Sequence, residues 1–218
     1  MSNSPPLGTR SQLMTVILLA LLLGLQPITT DLYLPALPAL TQGFGASMVQ
    51  AQLTLTSLLL AFGTSQLVWG PLSDKWGRRP VLLGGIAVYL ASAIGCVLAP
   101  SIEALIAART LQGVAMGACV MAARAIVRDL YEPLQGAKVM SKAMTGLGLM
   151  ACTSPPLGGF LSQHWGWRVA MVTVVTYALF TMGLVAWVSA KVLGLRCARV
   201  LPSRCKACWR CNPTASGA

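Results

Sequence analysis

The chain has 218 residues, of which 56% are hydrophobic and only 10% are charged, and its formal net charge at pH 7 is +11. A soluble domain has roughly a quarter of its residues charged, so this composition excludes an ordinary water-soluble domain and indicates a surface that faces lipid. The basic excess would also suit a nucleic-acid-binding protein, but the basic residues lie between long apolar runs and near the C-terminal end, with no nucleic-acid-binding motif around them. Cytoplasmic loops rich in lysine and arginine explain the same excess, and no nucleic-acid partner is expected.

Apolar segments of membrane-spanning length recur six times along the chain. A bilayer core about 30 Å thick needs about 20 apolar residues in a helix. This predicts an all-α membrane protein: a cytoplasmic segment over 1–12, a six-helix bundle over 13–190 and a basic, cysteine-rich cytoplasmic tail over 191–218. The predicted spans run near Leu13–Leu37, Met48–Gly70, Val81–Ala99, Leu105–Val127, Val139–Leu161 and Val169–Ser189.

The connections between the spans alternate in charge. Basic residues precede the first span, follow the second and surround the connection between the fourth and fifth. In the outer connections Arg168 is the only basic residue. Because cytoplasmic loops are enriched in lysine and arginine, we expect both termini in the cytoplasm. The basic residues of the inner side are Arg10, Lys75, Arg78, Arg79, Arg124, Arg128, Lys138 and Lys142.

Two loops three spans apart resemble each other. Residues 72–79 (LSDKWGRR) follow the second span, residues 161–168 (LSQHWGWR) follow the fifth, and Leu, Ser, Trp, Gly and the last Arg coincide. Equivalent loops on opposite membrane faces are expected of a 3+3 inverted repeat. Chance is the alternative, because Trp and Gly suit any turn at a membrane surface.

Two charged residues fall inside predicted spans. Asp31 lies late in the first span and Arg109 early in the fourth, each six or seven residues from the outer boundary at Pro38 or Glu103. At 1.5 Å per residue both lie about 10 Å below the outer surface. A charge at this depth is costly and indicates function, so we expect a shared cavity in which Asp31 exchanges a proton beside Arg109. The alternative is a helix-capping Asp31 and an Arg109 that extends to the surface.

The loop after the second span contains a candidate conformational latch. Glycines there allow a tight chain reversal, and Asp74 can pair with a cation or cap the third span. The arginines can hold acids on neighbouring helix ends, of which Asp129 is the best placed; a loop that only determines topology is the alternative. The latch comprises Gly70, Asp74, Gly77, Arg78, Arg79 and Asp129.

Four motifs resemble one transporter family. Residues 70–80 (GPLSDKWGRRP) resemble the signature loop of the major facilitator superfamily, and 30–38 (TDLYLPALP) resemble the first helix of its Bcr/CflA drug-resistance subfamily. Residues 109–113 (RTLQG) are similar to the fourth-helix motif, and 124–131 (RAIVRDLY) to the same subfamily. The resemblance implies the N-terminal half of a proton-coupled exporter of chloramphenicol- or bicyclomycin-type drugs in the bacterial inner membrane, without a cofactor or resident metal.

The resemblance also implies roles for individual residues. Asp31 and Arg109 would couple transport to protons. The fifth-helix run 154–159 (SPPLGG) departs from the family's pattern, because Ser154 replaces a glycine and Pro156 is extra. The residues implied in the substrate cavity or hinge are Tyr33, Gln112, Gly113, Pro155, Gly158 and Gly159.

The resemblance covers six spans, whereas the family has about twelve. The simplest interpretation is a truncated or frame-shifted gene product, so a non-transporting fragment is the alternative to a transporter acting as a homodimer or with a separate second half. Lipid, drugs and protons are the expected partners. Cysteines 197, 205, 208 and 211 allow a metal site, but zinc sites usually space their ligand pairs more widely. A membrane enzyme is disfavoured, because His164 is the single histidine and no nucleophile–base pair lies in the spans.

Overall fold

The computed structural model describes the backbone of residues 9–197 and the side chains of residues 13–187, except those of Arg79 and Leu130. The predicted tail beyond Cys197, with its cysteine cluster, lies outside the described residues. Within the described part all regular secondary structure is helical, with no strand. The helices are α1 (Thr9–Thr30), α2 (Leu37–Phe44), α3 (Met48–Trp76), α4 (Arg78–Leu98), α5 (Ile102–Leu130), α6 (Pro133–Trp165) and α7 (Trp167–Cys197).

Five segments of the described chain are long and apolar enough to cross a bilayer. They are Leu13–Phe44, Met48–Trp76, Pro80–Leu98, Ile102–Asp129 and Trp167–Trp187. Helix α6 has 33 residues, which is ample length, but glycines, prolines and hydroxyl side chains dilute its apolar run. The all-α membrane architecture is therefore confirmed, with α6 as the least apolar of its long helices.

The first predicted span contains a break. Helix α1 ends at Thr30, Asp31 N–H donates to the Pro27 carbonyl (2.8 Å), and a 3-10 turn over Leu34–Ala36 leads into α2. Pro35 and Pro38 have no backbone N–H, so they cannot continue the ladder of i to i−4 hydrogen bonds. A single helix over Leu13–Leu37 was expected, and the prolines are the reason that the chain leaves the α conformation here.

Helix α5 is the centre of the bundle. Two-thirds of the most apolar segment of α5 is buried inside the protein, whereas only 17% of the corresponding segment of α3 is buried. Helices α3 and α4 pack on α5, α6 packs on α1, and α7 packs on α4. Glycines allow the closest approaches: a Cβ at Gly113 would collide with the Leu58 carbonyl of α3, and one at Gly117 would collide with Ser65. Small residues at such crossings let helix backbones meet closely.

The two similar loops adopt the same conformation. Gly77 (φ 93°, ψ 154°) and Gly166 (φ 85°, ψ 168°) end α3 and α6, and their N–H groups donate to the Ser73 and Ser162 carbonyls at 3.1 and 3.2 Å. This backbone region is nearly exclusive to glycine. The helix packing shows the same equivalence between the two halves of the repeat, because α3 packs on α5 in the way that α6 packs on α1. The 3+3 inverted repeat is confirmed in both loop geometry and packing.

Candidate buried-charge site

The guanidinium of Arg109 lies in the interior of the bundle. It is fully buried, and its Cζ lies 4.0 Å from the centroid of the Tyr33 ring. Nη1 donates to the Thr29 carbonyl (3.3 Å) and to Gln112 Oε1 (3.2 Å), and Nη2 lies 3.1 Å from Met171 Sδ. Nε has no hydrogen-bond partner. The charge of Arg109 is thus held by neutral groups of α1, α5 and α7.

Asp31 lies next to this site without an ion pair to Arg109. Its side chain is half-buried, and Oδ1 accepts a hydrogen bond from Thr30 Oγ1 at 2.9 Å. No ion pair within 4.0 Å joins Asp31 and Arg109 among the described residues. Arg109 instead reaches the carbonyl of Thr29, two residues before Asp31. The two charges predicted to share a cavity are therefore unpaired in this conformation, although Arg109 contacts the backbone close to Asp31.

Hydroxyl pairs surround the buried arginine. Tyr33 Oη lies 2.6 Å from Thr54 Oγ1 of α3, and Tyr89 of α4 forms a hydrogen bond with Thr29. Sequence reasoning missed Thr29, Thr54, Tyr89 and Met171 as members of this site. Of these, only Tyr89 could have been singled out from the sequence, because it lies in the middle of a predicted span, away from the membrane surfaces where tyrosines concentrate.

Three of the residues expected in the substrate cavity or hinge, Tyr33, Gln112 and Gly113, are packed between helices here. Tyr33 and Gln112 are each 1% exposed, and Gln112 Oε1 also lies 3.8 Å from Cys96 Sγ. Gly113 serves the packing of α5 on α3. In this conformation these side chains hold Arg109 in place and do not face an open cavity.

Arg78 forms the centre of the predicted latch. It pairs with Asp74 one turn earlier, and its Nε lies 3.0 Å from Asp129 Oδ2 at the end of α5. Partial burial lowers the pKa of Arg78, but the hydrogen bond and charge of Asp129, followed by those of Asp74, outweigh it, so the pKa rises above its ordinary value. These ion pairs connect the ends of α3, α4 and α5.

One detail of the latch differs from expectation, and of the two roles expected for Asp74 the structure shows the ion pair. Gly70 does not reverse the chain: it lies within α3, which continues through Pro71 to Trp76, and the reversal occurs at Gly77 alone. Asp74 does not cap α4, whose N-cap residue is Gly77; it pairs with Arg78. The reason is that α3 extends about six residues past its expected end, which carries Asp74 onto the last helical turn. The side chain of Arg79 lies outside the described residues.

Residues 19–193, most of the chain, match the Major Facilitator Superfamily. The chain belongs to this superfamily. Among curated major facilitator relatives it is 34% identical over 208 residues to the chloramphenicol resistance protein of Pseudomonas aeruginosa, covering 89% of this chain and 48% of that protein. It is 31% identical to multidrug resistance protein D of Escherichia coli K12 (79% and 44% covered), and 30% identical to the bicyclomycin resistance protein homolog of Haemophilus influenzae (82% and 45%). The chain spans about half the length of these relatives.

Helix α6 of this major facilitator chain continues through residues 154–159, the run that departs from the family's pattern. Pro155 and Pro156 lie on an exposed face inside the helix, and Ser154 Oγ donates to the Met150 carbonyl at 2.6 Å. A Cβ at Gly158 would collide with the carbonyl of Leu32, whereas one at Gly159 would make ordinary contact with Pro35. Gly158 thus brings α6 against the break in α1, immediately beside Asp31 and Tyr33.

Proposed function

We propose that this multi-pass membrane protein contributes half of a pathway that exports small, partly apolar drugs in exchange for protons. Its superfamily membership and the printed names of its relatives, which refer to chloramphenicol, bicyclomycin and multiple drugs, support the substrate class. The observation that carries proton coupling is the buried Arg109, held by neutral groups beside a half-buried Asp31.

Asp31 is the proposed proton carrier because of where the acids lie. The chain has five acidic residues, and four of them are at helix ends: Asp74 in the last turn of α3, Glu103 in the first turn of α5, Asp129 in its last turn and Glu132 before α6. Asp31 alone lies far from both ends of its membrane-spanning segment, Leu13–Phe44. An intramembrane carboxyl group is costly, and it is retained where it moves protons or binds ligand.

Drug-induced proton movement in inverted vesicles tests the proposal. Vesicles would hold this chain alone, or together with the second half of the Pseudomonas aeruginosa relative. A pH-sensitive dye reports proton release when chloramphenicol is added across an imposed pH gradient. Asp31→Asn should abolish the release, since an amide carries no exchangeable acid proton. Glu103→Gln, which neutralises an exposed acid at the start of α5, is the matched control and should transport normally.

The outcomes separate the alternatives. Proton release by wild type and its loss in Asp31→Asn would support exchange through Asp31. Unchanged proton release in Asp31→Asn would mean that a group other than Asp31 carries the proton. No release by wild type, either alone or with a second half, would favour a non-transporting fragment.

A further inference from the structure

The buried charge of Arg109 rests on an aromatic ring. A desolvated guanidinium is ordinarily paired with a carboxylate, yet among the described residues none lies within 4.0 Å of Arg109. Its Cζ lies over the Tyr33 ring at 4.0 Å, and its Nε lacks a hydrogen-bond partner. The negative face of an aromatic ring attracts a cation, most strongly where water is excluded. Tyr33 therefore supplies the electrostatic counterpart that a carboxylate would otherwise provide.

The Tyr33 ring is fixed on several sides. Its hydroxyl pairs with Thr54 Oγ1, which itself donates to the Ala51 carbonyl at 2.6 Å. The preceding residue, Leu32, has its carbonyl against Gly158 of α6. The ring is 1% exposed. Arg109, by contrast, has a long side chain with several rotatable bonds, held by neutral acceptors at 3.1–3.3 Å, so the guanidinium is the part of this pair that can move.

Asp31 and Tyr33 lie on the same non-α turn, between Thr30 and the 3-10 segment. They stand on either side of Leu32, and Arg109 Nη1 reaches the carbonyl of Thr29 just before them. The guanidinium rests on the Tyr33 ring in this conformation, and the Asp31 carboxylate on the same turn is a second group with which it could pair. A charged carboxylate attracts a guanidinium more strongly than a ring does, whereas a protonated carboxyl group has no net charge to offer.

We propose that Tyr33 is a positioning residue that holds Arg109 on its ring while Asp31 carries a proton, and yields Arg109 to Asp31 when the proton leaves. The inference rests on the proposed function, in which Asp31 is the carrier. The proton passes from the Asp31 carboxyl oxygen to water, and no other bond is broken. The guanidinium stays charged throughout, because arginine does not deprotonate in proteins. Tyr33 thereby favours the protonated form of Asp31.

Few other groups titrate near this site. Tyr33 faces Arg109 from the turn after α1, which also contains Asp31, and Tyr89 and Cys96 face it from α4. The contacts from α5 and α7 are Gln112 and Met171, which do not titrate. Phenol and thiol groups ordinarily titrate above pH 8. A carboxyl signal that disappears in Asp31→Asn is therefore a direct measure of Asp31.

Infrared difference titration of the chain in lipid nanodiscs tests the proposal. Tyr33→Leu removes the ring, so the Asp31 carboxyl band should titrate roughly one pH unit lower, a tenfold loss of proton affinity that corresponds to a desolvated cation–π contact. Tyr33→Phe keeps the ring and should titrate like wild type. Arg109→Ala should move the band in the opposite direction, to higher pH. Should Tyr33→Leu fail to fold, Tyr33→Met should give the same displacement.

A matched control is Tyr177→Leu, which removes a half-buried α7 tyrosine that donates to the Leu21 carbonyl at 2.8 Å and is not among the described contacts of Arg109. Its midpoint should equal that of wild type. An unmoved midpoint in Tyr33→Leu, or an equal displacement in Tyr33→Phe or Tyr177→Leu, would overturn the inference. Because this titration needs no transport, a displaced midpoint without drug–proton exchange would reject the proposed function alone, and normal exchange with an unmoved midpoint would reject the inference alone.

Discussion

Because Gly158 has no side chain beyond a hydrogen, α6 can lie close to the turn that contains Asp31. A Cβ there would overlap the carbonyl carbon and oxygen of Leu32, which are backbone atoms with little freedom to move. Gly158→Ala should therefore destabilise the fold by about 1–3 kcal/mol through overpacking. Thermal unfolding of the chain in nanodiscs, followed by the loss of helical circular dichroism, measures the change.

Gly148 on the same helix is the matched control. Nothing lies within 4 Å of a Cβ built there, so Gly148→Ala should be neutral or stabilise the helix by about 0.5–1 kcal/mol. Opposite signs for the two substitutions would show close backbone approach at Gly158. Equal effects would mean that α6 does not approach α1 as described.

At the residue scale, the sequence predicted which charges are unusual but not what they touch. Asp31 and Arg109 could be singled out because any charge at membrane depth is costly. The contacts of Arg109 with Tyr33, Thr29 and Met171 could not be predicted, since they depend on the rotation of three helices about their axes. A shift of one residue along a helix turns a side chain by about 100° and changes every such pairing.

At the element scale, the Arg78 ion pairs hold three helix ends together. Asp74 and Asp129 are both about half exposed, so each pair contributes at most about 1 kcal/mol to folding. A change of this size alters a conformational equilibrium more readily than it unfolds a bundle. Asp74→Asn should therefore lower drug export severalfold, in a cell that supplies a second half, with normal membrane insertion. Export and the amount of inserted protein are measured together.

Glu132→Gln provides the control for this experiment, because Glu132 is an exposed acid just before α6 without an ion pair among the described residues. It should leave export unchanged. Full export in both Asp74→Asn and Arg78→Gln would reduce the loop to a determinant of topology.

Helix ends were predicted less well than helix identities. The second span was expected to end at Gly70, but α3 continues six residues to Trp76, because an apolar run marks the lipid-facing length and not the end of hydrogen bonding. Helices commonly extend past the hydrocarbon into the interfacial region. The break after α1 had a visible signal in Pro35 and Pro38, although neither proline shows where the helix ends.

On the scale of the whole molecule, the inverted repeat connects a short sequence match to the packing of α3 on α5 and of α6 on α1. Five shared residues in eight predicted equivalent loops, and Gly77 and Gly166 adopt nearly the same φ and ψ. What occupies the equivalent positions differs: Arg78 pairs with acids at one end, whereas Trp167 packs against Phe44 with ring centroids 5.1 Å apart at the other. The same backbone conformation thus supports an ionic contact at one end of the bundle and an apolar contact at the other.

The orientation of the bundle in the membrane is the last prediction. The end with the Arg78 ion pairs also carries Lys75 and Lys138, whereas the described loop between α4 and α5 has no basic residue. Positively charged loops are retained in the cytoplasm during insertion, and short loops without them are translocated. Alkaline phosphatase, which is active only outside the cytoplasm, should be active when fused after Ser101 and inactive when fused at Arg79. Green fluorescent protein at the same two positions should give the reverse pattern. Active phosphatase at Arg79 would show that the bundle has the opposite orientation, with the Arg78 ion pairs on the outer face of the membrane.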